Sequence, residues 1–140
     1  MKIYLLAWPA AQAFAKPIRY RVFVSEQGVP EEMEWDEYDE HAIHALAFID
    51  DQAVGTARLK INNQTAKIGR MAVLAEQRRQ GVGFAMLDAL VKEAREQQIA
   101  RIELHAQVQV TNFYEKLGFK QNGPIFDEAG IDHVLMTLQL

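Results

Sequence analysis

A basic turn containing two glycines, at residues 78–84, is the segment of this sequence best suited to binding a phosphate. It reads Arg78-Arg79-Gln80-Gly81-Val82-Gly83-Phe84 and lies between a strand-like run and a helix-like run. The first N–H groups of a helix lack intrahelical acceptors and lie at the positive end of its dipole, so they bind phosphate oxygens. An ordinary surface turn explains the same residues about equally well, because short glycine motifs give many false positives. Spacing alone leaves both interpretations open.

Tyr114 is a second residue with chemical use, because a phenol can donate a proton to a leaving group. It lies in the helix-like segment Phe113-Tyr114-Glu115-Lys116-Leu117-Gly118-Phe119. Aromatic side chains on helices more often serve packing than chemistry. Considered alone, Tyr114 therefore fits a helix–sheet contact better than a proton donor.

Four side chains are candidate general bases, namely Glu26, Glu34, Asp36 and His105. Imidazole is the side chain best suited to proton transfer near neutral pH, although a single histidine in a strand is more often structural. Glu26 follows a predicted helix and could border a cleft, or simply face solvent at the helix end. Geometry is needed to choose among the four.

The sequence predicts no metal site. His41 and His44 lie beside acids, but strand alternation argues against a shared zinc ion. There is no cysteine, which excludes thiolate ligands, disulfides and a cysteine nucleophile, and which suits a cytoplasmic protein.

The elements that must position these residues are six strands and three helices, predicted from hydrophobic periodicity. The strands are Ile3–Trp8, His44–Asp50, Ala53–Asn62, Ala66–Leu74, Arg101–Ala106 and His133–Leu138. The helices are Ala10–Ser25, with Pro17 as a candidate break, Gly81–Gln97 and Val110–Leu117. In the middle helix, Phe84, Leu87, Leu90, Val91 and Ala94 form the predicted buried face. Turn residues at 50–52 and 62–64 predict an antiparallel meander of the second, third and fourth strands.

Chain length, composition and the predicted elements together indicate one soluble α+β domain spanning residues 1–140. Forty-nine percent of the residues are hydrophobic, yet no apolar run approaches the ~20 residues that span a bilayer. The N-terminus is predicted to be a strand rather than a signal peptide. A sequence pI near 5.5 and the lack of a basic stripe argue against a nucleic-acid partner. Neither a Walker motif nor a complete dinucleotide fingerprint occurs, which argues against NTPases and dehydrogenases.

Two motifs resemble those of the GNAT (GCN5-related N-acetyltransferase) family. Residues 78–83 match all three fixed positions of its Arg/Gln-x-x-Gly-x-Gly/Ala signature, and residues 113–119 match its aromatic-Tyr-x-x-x-Gly-Phe block. Segments 22–27, 104–107 and 127–131 resemble the ElaA/YjcF-like branch. The resemblance covers nearly the whole chain.

The resemblance implies a mixed, mostly antiparallel central sheet of about six to seven strands with flanking helices. Its fourth and fifth strands splay apart, and the pantetheine of acetyl-CoA lies in the gap. Backbone groups of Met71, Ala72 and Val73 would align the pantetheine, and an N–H near Val73 would stabilise the oxyanion. The pyrophosphate would bind the amides of Arg79, Gln80, Gly81, Val82, Gly83 and Phe84, with Arg78 nearby.

The same resemblance assigns Tyr114 as proton donor to the CoA thiolate, and Tyr114 also lies in the cofactor site. Gln107 stands where many family members have Asn, and Val110 where a small Ala is common. Asn112 could supply an amide elsewhere in the site. Catalytic expectations are therefore Tyr114 with Glu26 or His105.

The implied function is transfer of an acetyl group from acetyl-CoA to a primary amine of a small molecule, peptide or protein. A catalytically weak acyl-CoA sensor, an interaction module on the same fold and a different acyltransferase are the alternatives. Tyr114 together with the complete glycine turn favours catalysis. The sequence leaves open the identity of the amine, the preferred acyl chain and whether the protein forms a homodimer.

Seven of the nineteen acidic residues lie between Glu31 and Glu40. Such a cluster could attract a cationic amine, and Trp35 or Tyr38 could present an aromatic face to it. A solvated acidic loop is the alternative, because charge runs usually face water.

Overall fold

One mixed sheet of eight strands runs through the computed structural model, which describes residues 1–140. The strands are β1 Lys2–Ala7, β2 Ile43–Ile49, β3 Gln52–Asn62, β4 Thr65–Val73, β5 Arg101–Gln107, β6 Lys120–Gln121, β7 Phe126–Glu128 and β8 Ile131–Gln139. Their order is β1-β2-β3-β4-β5-β8-β6, with β7 on β8, and β4–β5 is the parallel pair. The predicted mixed, mostly antiparallel sheet is confirmed, and β6 and β7 are added to the six predicted strands.

Two tight turns produce the predicted meander of β2, β3 and β4. Asp50 and Asp51 have φ of 49° and 65°, and Asn63 has φ of 57°. Asp and Asn tolerate this left-handed backbone better than most residues, and positive φ at a hairpin turn matches the twist of its strands. Asp50, predicted to end a strand, therefore lies in the turn.

The helices are α1 Trp8–Arg19, α2 Glu31–Glu34, α3 Val82–Glu96 and α4 Thr111–Glu115. Trp8, predicted to end a strand, instead begins α1, because Pro9 in the first helical turn favours helix initiation. None of the helices is long and apolar enough to cross a membrane.

The helix at residues 8–26 continues past Pro17 and changes its hydrogen-bond pattern three residues later. Pro17 has no N–H to donate to the preceding turn, and α1 gives way to a wider π-helical segment at Tyr20–Glu26. Proline therefore modifies this helix without breaking it. Short 3₁₀ turns occupy Glu37–His41, Ala75–Gln77 and Val108–Val110.

Helices α1 and α3 cover opposite faces of the sheet. Trp8, Ala11 and Ala15 of α1 pack on Leu46. Six buried side chains of α3 pack against the sheet in the main core: Val82, Met86, Leu87, Leu90, Val91 and Ala94. Phe84, predicted in this buried face, lies at its margin and is 41% exposed.

The parallel strands β4 and β5 separate after a short pairing. Only Thr65–Ile68 pairs with Arg101–Leu104, although β4 continues to Val73 and β5 to Gln107. At this point the β3–β4 register shifts, and Arg70 has φ of 50°. A bulge bends its strand, so the last residues of β4 turn away from β5. The predicted splay is confirmed.

Candidate active site

The turn before α3 presents six consecutive amides without an acceptor. The backbone N–H groups of residues 79–84 donate to no backbone or side-chain oxygen, and the first paired amide is Ala85 N–H, to Gly81 O at 3.0 Å. Arg79 and Gly81 both have positive φ, at 65° and 81°. Unpaired donors in such a turn form an anion-binding concavity at a helix N-terminus.

This turn, β4 and α4 meet at Gly83. A methyl group added to Gly83 would lie 3.5 Å from Phe113 Cζ and 3.9 Å from both Met71 Sδ and Val73 Cγ2. The aromatic block and the glycine turn, which are 30 residues apart in the sequence, therefore lie side by side at the open end of the splay.

Tyr114 packs at this junction and has an unpaired hydroxyl. Its ring lies 5.0 Å from that of Phe113 and 6.2 Å from that of Phe119, both edge-on. The hydroxyl forms no hydrogen bond within the protein, and its oxygen is not fully buried, so a ligand can reach it. Burial of the side chain raises the pKa of Tyr114 above its ordinary value, so the phenol stays protonated at neutral pH.

Val73, the last residue of β4, directs its peptide groups away from β3. The next amide, Leu74 N–H, donates to Val54 O of β3 at 2.9 Å. The backbone N–H and C=O groups of successive strand residues point to alternate sides of the strand. Since Leu74 N–H points to β3, the N–H of Val73 points the other way, toward the splay. The C=O of Val73 accepts a hydrogen bond from Arg78 Nε at 3.0 Å.

Arg78 and Glu26 bind each other. The guanidinium donates to Glu26 Oε2 at 2.6 Å and Oε1 at 2.8 Å, in addition to its bond with Val73. Hydrogen bonds from Arg78 lower the pKa of Glu26 below its usual value. Glu26 is therefore a weak proton acceptor, and the charge of Arg78 is already paired. Arg79 is exposed and forms no ion pair, so it is the cation free to meet an anion here.

His105 is the first residue of β5 beyond the last pair with β4, Ile68 with Leu104. Its Nδ1 lies 2.8 Å from Glu128 Oε1 on β7, and its ring contacts Phe126 edge-on at 5.0 Å. His133 Nε2 lies 3.6 Å from Glu128 Oε2. Sequence reasoning missed Glu128, because only the register of the β7–β8 hairpin brings it to His105.

Much of the acidic segment 31–40 is folded inward. Arg19 is 1% exposed; it binds Glu34 Oε2 at 2.7 Å and Asp39 Oδ1 at 2.8 Å. Arg58 binds Asp36 Oδ1 and Asp39 Oδ1 at 2.7 and 2.9 Å. Both the solvated-loop and the cation-steering interpretations fail for these carboxylates, because buried arginines already neutralise them.

Burial affects the two innermost carboxylates differently. Desolvation raises the pKa of Glu34 despite its bonds with Arg19 and Arg70. For Asp39 desolvation also acts upward, but hydrogen bonds and charge from Arg19 and Arg58 outweigh it and lower the pKa. Asp39, paired with two arginines, is the firmly ionised member.

The aromatic side chains of this segment already face protein cations. Trp35 packs against the guanidinium of Arg19 at 5.2 Å, and Lys60 Nζ lies 4.1 Å from the centre of the Tyr38 ring. The exposed remainder of the cluster consists of Glu31, Glu32, Glu37 and Glu40. These four carboxylates are the ones that can still act on a ligand in solvent.

The remaining candidates fall into two groups. Gln107 ends β5 beside the splay, and Asn112 is exposed in the first turn of α4. His44 is buried, with Nε2 2.8 Å from Asp39 O, whereas His41 is exposed. No group of three or more His, Cys, Asp or Glu side chains is arranged to hold a metal ion.

In this mixed sheet the parallel strands β4 and β5 separate, and the unpaired amides of residues 79–84 lie at the open end of the gap between them. This arrangement is that of the GNAT class of folds. A family model described as an acetyltransferase (GNAT) domain matches residues 10–140. The chain therefore belongs to the GNAT acetyltransferase family, whose members use acyl-CoA.

Individual relatives agree with this assignment. A Bacillus subtilis (strain 168) protein that is named "Putative acetyltransferase" is 43% identical over 125 residues, covering 87% of this chain and 85% of that one. YjcF of the same organism, named as an uncharacterised N-acetyltransferase, is 35% identical over 120 residues, covering 85% and 86%. A crystal structure titled "putative N-acetyltransferase from Lactobacillus plantarum" superposes with a TM-score of 0.91 at 30% identity, covering 99% of this chain and 97% of that one. Escherichia coli ElaA, at 24% identity and a TM-score of 0.87 over 97% of each chain, shows the same fold.

Proposed function

We propose that this protein transfers an acetyl group from acetyl-CoA to a primary amine by direct attack. The observation that carries the proposal is the meeting of three parts at Gly83: the free-amide turn, the splayed end of β4 and the aromatic helix α4. Together they provide an anion site, a strand edge that faces the gap between β4 and β5, and a protonated phenol.

The residues of the turn fit the pyrophosphate of CoA. The amides of residues 79–84 and the side chain of Arg79 would hold it, because all are free of protein partners. Peptide groups of Met71, Ala72 and Val73 would align the pantetheine arm along the open edge of β4. Gln107, at the end of β5, and Asn112, in α4, could add amide hydrogen bonds.

Catalysis then requires a neutral amine beside the thioester, stabilisation of the oxyanion and a proton for the leaving sulfur. The N–H of Val73 would stabilise the oxyanion, since it is directed into the splay. Tyr114 would protonate the sulfur, since its hydroxyl is unpaired and its pKa is raised. His105 is the best-placed general base, because it lies at the apex of the splay.

The proposal is tested by CoA binding to Gly81→Asp. An aspartate at this position puts a negative charge and a side chain into a turn with φ of 81° and otherwise open space. Calorimetry should show acetyl-CoA affinity reduced by roughly 10- to 100-fold, as expected for a charge close to the pyrophosphate. Gly123→Asp is the matched control, because Gly123 also has positive φ, 109°, and open surroundings. Equal affinities of the two folded variants would remove the turn from the cofactor site.

A further inference from the structure

We infer that Glu128 is a positioning residue that orients His105 as the base which deprotonates the acceptor amine. This inference rests on the proposed function and adds a carboxylate from the β7–β8 hairpin to it. The observation behind it is the 2.8 Å contact between His105 Nδ1 and Glu128 Oε1 at the apex of the splay.

The contact determines which ring nitrogen of His105 can accept a proton. An ionised carboxylate only accepts hydrogen bonds, so Nδ1–H of His105 is the donor to Glu128. Neutral imidazole carries one proton, and Nε2 therefore bears the free lone pair. Nε2 has no partner in the protein, and the side chain is 35% exposed, so a ligand can reach it.

The alternation of side chains along the strands determines on which face of the sheet His105 and Glu128 lie. Ile102, Leu104 and Ala106 of β5 are buried in the core with α3, so His105 lies on the opposite face. The register pairs Phe126 with His133 and Glu128 with Ile131, which places the hairpin side chains on that same face. This face of β5 borders the splay and lies beside the bulge of β4.

The charged and titratable groups on that face come from five strands. Glu128 is on β7 and His133 on β8, while Arg101 and Glu103 are on β5 itself and bind each other at 2.6 Å. Lys67 of β4 is the register partner of Glu103, and Lys120 of β6 pairs with Thr137, the β8 partner of Glu103. His133 is the second imidazole of the cluster; its Nδ1 lies 2.8 Å from Ile131 O and acts as donor there. Glu128 is thus the carboxylate that contacts both imidazoles, and it can balance the charge that His105 acquires.

The proton transfers balance in this arrangement. An alkylammonium gives one N–H proton to His105 Nε2, which makes an imidazolium paired with Glu128. The neutral nitrogen attacks the thioester carbon; the C–N bond forms and the C–S bond breaks. Tyr114 gives its proton to sulfur and regains one from the nitrogen as the amide forms. The products are the amide, the thiol, neutral Tyr114 and protonated His105.

The experiment combines steady-state kinetics with ¹⁵N NMR of the histidine side chains. In the parent, the neutral form of His105 should be the Nδ1–H tautomer. In Glu128→Ala that preference should be lost, and kcat for an alkylamine should fall roughly 10- to 100-fold, as for other residues that orient a histidine. The KM for acetyl-CoA should stay within about twofold, because that site is separate. Glu128→Asp should recover part of both the tautomer preference and kcat.

Asp132→Asn is the matched control, since it removes a carboxylate from the other face of the same hairpin. It should leave the tautomer and kcat at the parent's values. A Glu128→Ala variant that keeps the parent's kcat, or a parent His105 in the Nε2–H form, would overturn the inference while acetyl transfer by the parent stands. A parent that acetylates no amine would overturn the proposed function, and the inference with it.

Discussion

Removing the buried guanidinium of Arg19 should destabilise the fold severely. Arg19→Met keeps the length and much of the volume of the side chain, and it preserves packing between the rings of Trp8 and Trp35, which lie 5.7 and 5.2 Å from the guanidinium carbon. It deletes four hydrogen bonds, to both carboxylate oxygens of Asp39, to Glu34 Oε2 and to the carbonyl of Glu34.

The expected loss in the free energy of unfolding follows from the two carboxylates that Arg19→Met leaves without this partner. The side chains of Glu34 and Asp39 are 4% and 3% exposed, and breaking one partner of a buried ion pair typically costs about 3–5 kcal/mol. Glu34 keeps Arg70 at 3.1 Å and Asp39 keeps Arg58 at 2.9 Å, so the lower half of that range is expected. At about 0.3 kcal/mol/K of unfolding entropy for a chain of this size, 3–4 kcal/mol corresponds to about 10–13 °C in Tm.

Thermal unfolding followed by circular dichroism measures this change. Arg21→Met is the matched control, because Arg21 pairs with Glu76 at 2.9 Å while both side chains are more than half exposed; its Tm should stay close to the parent's. If Arg19→Met melts within about 2 °C of the parent, the buried carboxylates are solvated or neutral without Arg19, and the energetic reasoning is wrong.

Two further predictions concern turnover. Tyr114→Phe should lower kcat by roughly 10²–10⁴ with acetyl-CoA affinity retained. In the parent, deprotonation of Tyr114 should not lower kcat below about pH 10, since burial raises the pKa of this proton donor. Parent-like kcat in Tyr114→Phe would make the residue structural. Replacing the exposed Glu31, Glu32, Glu37 and Glu40 by Gln should raise KM for a cationic amine and flatten its salt dependence while sparing acetyl-CoA binding. An unchanged KM and salt response, or acceptance of neutral and anionic amines only, would show that the segment attracts no substrate.

The parts of the fold with strong local signals could be predicted from the sequence. The meander follows from turn residues such as Asp51 and Asn63, and the 3.6-residue periodicity of α3 gives its bounds to within one residue at each end. By contrast, β6 has two residues and β7 three, too few for an alternating pattern to register. The π-helical segment after Pro17 carries no local pattern that separates it from an α-helix.

Contacts that join distant residues could not be predicted. Glu128 lies 23 residues from His105, and Asp39 lies 20 residues from Arg19. The acidic segment resembles a solvated run because a carboxylate looks the same in sequence whether it faces water or a buried arginine. Only the fold brings Arg19, Arg58 and Arg70 to it, which is why its inner members differ from the expectation.

The acidic segment acts on the candidate active site through the backbone of β4. Arg70, at the bulge, holds φ of 50°, a conformation that costs roughly 1–3 kcal/mol for a residue other than glycine. Its guanidinium binds Glu34 Oε2 and Asp36 Oδ2, each at 3.1 Å, and these contacts offset that cost. The next three residues, 71–73, form the open edge of the splay. Glu34 and Asp36 thereby help to set the direction in which this edge leaves β5, so ion pairs of the acidic segment also shape the site proposed for acetyl-CoA.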